Sequence, residues 1–137
     1  MSLQEAEETR SGLPEGDAEV DDGDADQTVT VVLVTAPPEG AASLADALVG
    51  ERLAACVNVI PGVTSVYRWK GDVHHDPEVL LVVKTTAARL PALMGRLPEL
   101  HPYEVPEILA LPVGAGLGTY MDWIAGACAP DGDSNGA

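Results

Sequence analysis

The residues best suited to chemistry lie in one run, His101-Pro-Tyr-Glu-Val-Pro-Glu-Ile108. It brings an imidazole, a phenol and two carboxylates close together, stiffened by two prolines. Neutral imidazole binds copper, zinc or nickel, and carboxylates can complete such a sphere. His101, with Glu104 and Glu107, is therefore a candidate ligand set for Cu2+ or Zn2+. The same histidine can instead end a helix and hydrogen-bond a last-turn carbonyl. His74-His75-Asp76 is a second candidate. Adjacent strand residues point to opposite faces, so those two imidazoles share an ion only if a turn bends them together. A solvated hairpin tip is the simpler reading.

Lys84 follows four apolar residues, Leu80 to Val83. Burial disfavours a lysine's charge unless a carboxylate compensates, which makes Glu78, Glu104 or Glu107 its expected partner. The functional alternative is an anion-binding lysine. Cys56 is a possible soft ligand or reactive thiol, but no His or Lys stands near it in sequence to activate it, so core packing is its default. Both cysteines, Cys56 and Cys128, sit in apolar sequence and are expected to be free thiols. No nucleotide loop, Gly-x-Ser-x-Gly elbow, Ser-His-Asp order or Cys-x-x-Cys pair is present. Nothing in the residues argues for an enzyme; a hydrolytic or transfer role for Glu107 and His101 is the weakest of the readings.

Those residues need elements to hold them. The run 53–69 is the longest strand signal, interrupted once by Pro61-Gly62. Proline removes a ladder N–H, which predicts a long strand bent or bulged at that point. Cys56, Val57, Val59 and Ile60 are expected to be buried before the bend. Beyond it Val63, Ser65, Tyr67 and Trp69 share one face. Lys70-Gly71-Asp72 is turn chemistry, and 78–86 returns as the partner strand of a hairpin. A first strand is predicted over 28–35, with an amphipathic helix over 40–52. A second helix runs from about Leu90 to before Pro102, with Pro91 in its first turn. A fourth strand is predicted over 104–113, and Gly118-Thr119 opens a final helix. The order β-α-β-β-α-β-α is that of a ferredoxin-like α+β sandwich with an extra C-terminal helix. One sheet face stays open and the hairpin overhangs, which together call for self-association. Tyr67 and Trp69 on the overhang are expected at the interface, with Trp123 as a core or interface anchor.

Charge excludes whole classes of partner. Lys and Arg total 7 against 22 Asp and Glu, a net charge of −15. Such a chain does not bind nucleic acid or an anionic membrane through charge. Residues 1–27 hold ten of the acids and a single arginine, too few apolar groups to offset the entropy of ordering. They are expected to form a disordered acidic tail, as is 129–137, leaving one domain over 28–128. No apolar run is long enough to span a membrane, and the basic-then-apolar pattern of a signal peptide is missing. A soluble cytoplasmic protein is expected. With only two lysines, the composition also suggests a salt-adapted cytosol; equal solubility and stability in low and multimolar salt would overturn that idea.

Five motifs in order carry a resemblance. They are Leu53-Ala-Ala-Cys-Val-Asn, Ser65-Val-Tyr-Arg-Trp69, Glu78…Lys84-Thr-Thr86, His101-Pro-Tyr…Pro106-Glu107 and Tyr120-Met-Asp-Trp-Ile124. With their spacing, they make 28–128 similar to the CutA divalent-cation-tolerance family. The resemblance implies a ferredoxin-like subunit in a tight homotrimer with hairpins pairing between subunits, and a link to copper tolerance and divalent metal binding. It also implies a likeness to PII signalling trimers, with a small ligand or protein partner at subunit clefts. Lys84, Tyr103 and Glu107 are the expected cleft residues. In copper-binding members the implied ligands are a strand cysteine and a His-His pair before Pro-Tyr. Here Val34 and Leu100 replace two of the three, so His101 would need Cys56, Glu104, Glu107 or another subunit.

Overall fold

The computed structural model describes residues 28–130. The expected tail at 1–27, and all of 131–137, lie outside the described residues. Seven elements follow in order: β1 (Val29–Ala36), α1 (Ala41–Gly50), β2 (Cys56–Trp69), β3 (Asp72–Thr86), α2 (Leu90–Leu100), β4 (Ile108–Pro112) and α3 (Gly118–Cys128). The sheet order is β2-β3-β1-β4, with every neighbouring pair antiparallel. This is the ferredoxin-like βαββαβ arrangement with the extra helix.

Strand alternation explains the core. Val32, Val34 and Ala36 of β1 and Val79, Leu81 and Val83 of β3 lie on one sheet face and are almost fully buried. Leu44 and Leu48 of α1 and Leu93 and Leu97 of α2, spaced three or four apart, close over them. At one end α3 lays Ile124 and Cys128 against Val29. There the Thr85 hydroxyl, wholly buried, donates to the Leu53 carbonyl at 2.7 Å. No described helix is long and apolar enough to cross a membrane.

The opposite face is different. Pairing places Leu109, Leu33, Val82 and Asn58 in one row across the four strands, and Leu111, Val31, Lys84 and Cys56 in the next. Leu109 and Leu111 are 56% and 50% exposed. An apolar sheet face of this kind is a surface awaiting a partner.

The expected break at Pro61-Gly62 is a β-bulge. Ile60 pairs with Leu80 and Val63 with Glu78, so two residues of β2 face one of β3. Gly62 supplies the positive φ of +82° that the bulge needs. The extra residue changes the parity of β2. Before it the even-numbered residues share a face with Leu80 and Val82; after it Val63, Ser65, Tyr67 and Trp69 share that same face with Glu78 and Asp76. A two-residue turn, Lys70-Gly71, with both φ values positive, closes the hairpin and fixes its register.

Three expectations need correction. The hairpin's return strand begins at Asp72 rather than 78, so His74, His75 and Asp76 pair within it instead of forming the hairpin tip. Val59 and Ile60 are each 42% exposed rather than buried, and Cys56 and Val57 only half-buried. The reason is that β2 is the sheet's outer strand. The fourth strand begins at Ile108, not Glu104. Residues 102–107 form a loop instead, consistent with two prolines that cannot donate to a ladder. That loop reaches back toward the hairpin.

Candidate functional site

His101 sits at the C-terminal cap of α2 and is buried, 6% exposed. Its Nε2 lies 2.7 Å from the carbonyl oxygen of Thr35, and the Tyr103 backbone N–H donates to its Nδ1 at 3.1 Å. A carbonyl only accepts, so Nε2 carries the proton and the ring is the neutral Nε2–H tautomer. The ladder between β1 and β4 stops at Val34–Ile108, and the imidazole satisfies the next carbonyl along. Both ring nitrogens are thus committed to the backbone, and neither offers a lone pair to a metal. Cys56 pairs across the sheet with Lys84, far from this position. The expected set of His101, Cys56, Glu104 and Glu107 is therefore not one site within the chain. Among the described residues no three His, Cys, Asp or Glu side chains come together in a metal-ligating cluster.

Beyond His101 the chain forms a groove of about 730 Å3 between the hairpin and the 102–107 loop, which His101 itself does not line. Tyr67, Trp69 and Tyr103 supply its aromatic walls, and Asp76, Glu78, Glu104 and Glu107 its carboxylates. No Lys, Arg or His lines it. The bulge put Tyr67, Trp69, Asp76 and Glu78 on one face; the loop carries the rest over them. Glu78 is buried, 7% exposed, and its Oε2 accepts a 2.7 Å hydrogen bond from the Tyr103 hydroxyl. Its other oxygen has no hydrogen-bond partner among the described residues and is not sealed from the groove. The Tyr67 hydroxyl donates to Asp76, and the His74 ring stacks on Tyr67 at 5.4 Å. His75, on the opposite face, is exposed, so the two imidazoles do not converge.

Tyrosine next to carboxylate has a pH consequence. Burial, then the hydrogen bond to Glu78, holds the Tyr103 phenol well above its ordinary range; the hydrogen bond to Asp76 raises that of Tyr67. Burial also pushes the Cys128 thiol up. A raised folded-state value means the folded chain keeps protons the unfolded chain has lost. These groups contribute stability that is present below their ordinary values and is lost at alkaline pH. Absorbance titration is expected to show two phenols ionising later than free tyrosine, with Glu78→Gln bringing Tyr103 earlier and Asp76→Asn doing so for Tyr67.

Lys84 does not belong to this groove. It lies on the same sheet face as Glu78, but six residues along β3, or roughly 20 Å at the rise of a strand. Its ammonium contacts the Tyr120 hydroxyl at 3.4 Å and lies 5.6 Å from that ring's centre. It makes no ion pair with Glu78, Glu104 or Glu107, and the expected cleft of Lys84, Tyr103 and Glu107 is split between two places. Trp123 stacks on Tyr120 at 5.7 Å and, like Tyr67 and Trp69, is substantially exposed. Both cysteines are free thiols. Sequence reasoning missed Asp76 as a groove residue and gave Glu78 no place in one. The signal was available: counting pairs back from the Lys70-Gly71 turn puts Asp76 opposite Ser65, diagonal to Tyr67.

Fold and groove together describe a small ferredoxin-like α+β protein with an acidic, aromatic groove and an uncovered sheet face. The family model described as CutA1 divalent ion tolerance protein matches residues 30–127. The chain is 57% identical over 95 residues to the divalent-cation tolerance protein CutA of Thermus thermophilus, spanning 69% of this chain and 92% of that one. It belongs to the CutA family. Human protein CutA is 47% identical over 98 residues, 71% of this chain, which spans only about half of the human protein, 55% of its length. Among solved structures, a PII-like protein CutA from Nostoc sp. PCC 7120 in apo form superposes with a TM-score of 0.69 at 40% identity, covering 72% of this chain and 96% of that one.

Proposed function

We propose that the chain is a non-enzymatic, cytoplasmic cation-binding protein that works as a homotrimer, with its site in the groove under the hairpin. One observation carries the reading. Four of the ten acidic side chains in the described residues line a single groove that holds no basic residue. Carboxylate oxygens suit hard divalent cations, and an aromatic rim adds attraction for any cation. The soft copper set does not fit, because His101 spends both nitrogens on the backbone. Divalent-cation tolerance, the description shared by the family, accords with an acidic site. The open face carrying Leu33, Leu109 and Leu111, with Tyr67 and Trp69 on the hairpin, supports self-association, and the neighbouring subunit would close the groove.

Calorimetric titration of the full chain with Mg2+, Zn2+ and Cu2+ tests this. Cation binding is expected to weaken in Glu78→Gln and Glu107→Gln and to persist in Lys84→Ala. Binding indifferent to both carboxylate substitutions would reject the groove as the site.

A second reading has the likeness to the PII-like Nostoc protein in its favour. It is a sensor trimer taking a small anion or protein partner near Lys84. Phosphate binding lost in Lys84→Ala, and kept in Glu78→Gln, would select it.

A further inference from the structure

The two hydrogen bonds of the His101 ring hold together only while the ring is neutral. We propose that this imidazole is a proton-sensitive latch: neutral, it keeps the 102–107 loop closed; protonated under mildly acidic conditions, it lets the loop go. The contacts involved lie within one chain, so they do not depend on what covers the sheet face or on what the groove binds.

Few bonds hold the loop. Pro102 and Pro106 have no N–H, and among the described residues 102–107 make no hydrogen bond to other backbone. Both of the loop's hydrogen bonds come from Tyr103. Its N–H donates to His101 Nδ1 at 3.1 Å, and its hydroxyl to Glu78 at 2.7 Å. The two acceptors respond to acid differently. A carboxyl that gains a proton still has lone pairs with which to accept, whereas an imidazole that gains one has two donors and no acceptor left. A proton on Nδ1 would point at the Tyr103 N–H, donor against donor. Flipping the ring brings no relief, since both nitrogens then donate.

Nothing around the ring compensates the charge. Thr35 lies on β1, a strand without a titratable side chain. On α2, Arg96 and Glu99 are exposed and paired with each other, and Arg96 also with Glu51. The loop brings the Tyr103 ring to 4.8 Å, and behind it, from β3, Glu78 is taken by the phenol. Glu39, Asp46, Glu104 and Glu107 are exposed, and none hydrogen-bonds the imidazole. Protonation with the loop closed therefore breaks the Nδ1 bond and leaves a charge buried without a counter-ion. Acid favours the open loop, in which the ring reaches water, and neutral pH favours the closed one. Histidine side chains change charge between about pH 5 and 8, which sets the window. Opening takes Tyr103 off Glu78, so the latch couples acidity to the buried carboxylate of the hairpin.

NMR of the full chain tests this by following the Tyr103 amide and the His101 ring from about pH 8 to about pH 5. Protection of that amide against hydrogen exchange, corrected for the intrinsic effect of pH, is expected to fall at least about tenfold as the ring becomes protonated. The Leu93 and Leu97 amides of α2 are expected to keep theirs. His101→Gln is expected to show protection at Tyr103 that does not vary with pH, while His75→Gln, on an exposed side chain, keeps the parent's curve. Should His101→Gln fail to fold, the parent chain's two curves decide on their own. Protection that stays level while the ring is protonated overturns the proposal, and so does a ring that stays neutral down to about pH 5. A fall in protection that disappears in Glu78→Gln assigns the effect to the carboxylate and overturns it too.

Discussion

Leu109→Glu is expected to leave the chain folded and monomeric, with light scattering giving one chain mass of 14.2 kDa in place of three. The residue sits on β4, the edge strand next to β1, and points to the face opposite α1 and α2. It is 56% exposed in the single chain, so a carboxylate there meets water and costs the subunit at most a few tenths of a kcal/mol. In an assembly that covers the row Leu109, Leu33, Val82 and Asn58, the same carboxylate is desolvated with nothing beside it to pair. The effective penalty for burying an unpaired ion is several kcal/mol, and three subunits each incur it. A shift of that size moves a tight trimer to monomer at micromolar concentration. Circular dichroism unchanged from the parent, with the mass reduced, separates loss of assembly from loss of fold. A persistent trimer would mean that subunits join through the hairpins and leave this face wet.

How much of this was legible depended on whether a pattern is local. The hairpin was readable because each of its determinants is local: a Pro-Gly interruption, a positive-φ turn at Lys70-Gly71, and β-branched residues between. Even the face shared by Tyr67 and Trp69 followed from parity beyond the break. The open sheet face followed from counting elements. The start of β4 was not readable in the same way. Glu104 to Val113 reads as strand by composition, and although Pro106 marks an interruption within it, the composition does not tell whether pairing begins before or after that proline; it begins after, at Ile108. The groove's carboxylates come from β3 and from the 102–107 loop, distant in sequence, so no motif spacing joins Asp76 and Glu78 to Glu104 and Glu107. Lys84 shows the reverse error. Four apolar neighbours predicted a buried ion pair, yet Glu78 lies six residues away along β3 and Glu104 and Glu107 sit in the loop before β4, and α3 offers Tyr120 instead.

His101→Ala is expected to cost about 3 kcal/mol of stability, near the upper end for a single polar side chain. Two backbone hydrogen bonds disappear with the ring, each contributing on the order of 1 kcal/mol. The Thr35 carbonyl is then left near the core without its donor, and an unsatisfied buried acceptor costs roughly another 1–3 kcal/mol. Thermal unfolding at fixed protein concentration should show the loss, because association also sets the apparent midpoint. A metal-ligating histidine gives the opposite pattern: stability of the metal-free chain barely changes, and copper affinity collapses. His101→Gln sharpens the comparison, since its amide can donate to Thr35 but cannot reproduce the imidazole's metal chemistry. Partial recovery of stability in His101→Gln, with cation affinity set by Glu78 in every variant, identifies the imidazole as the peg that fixes the 102–107 loop. Its part in function would then be to hold Tyr103 over Glu78, and so to keep the groove's buried carboxylate in place.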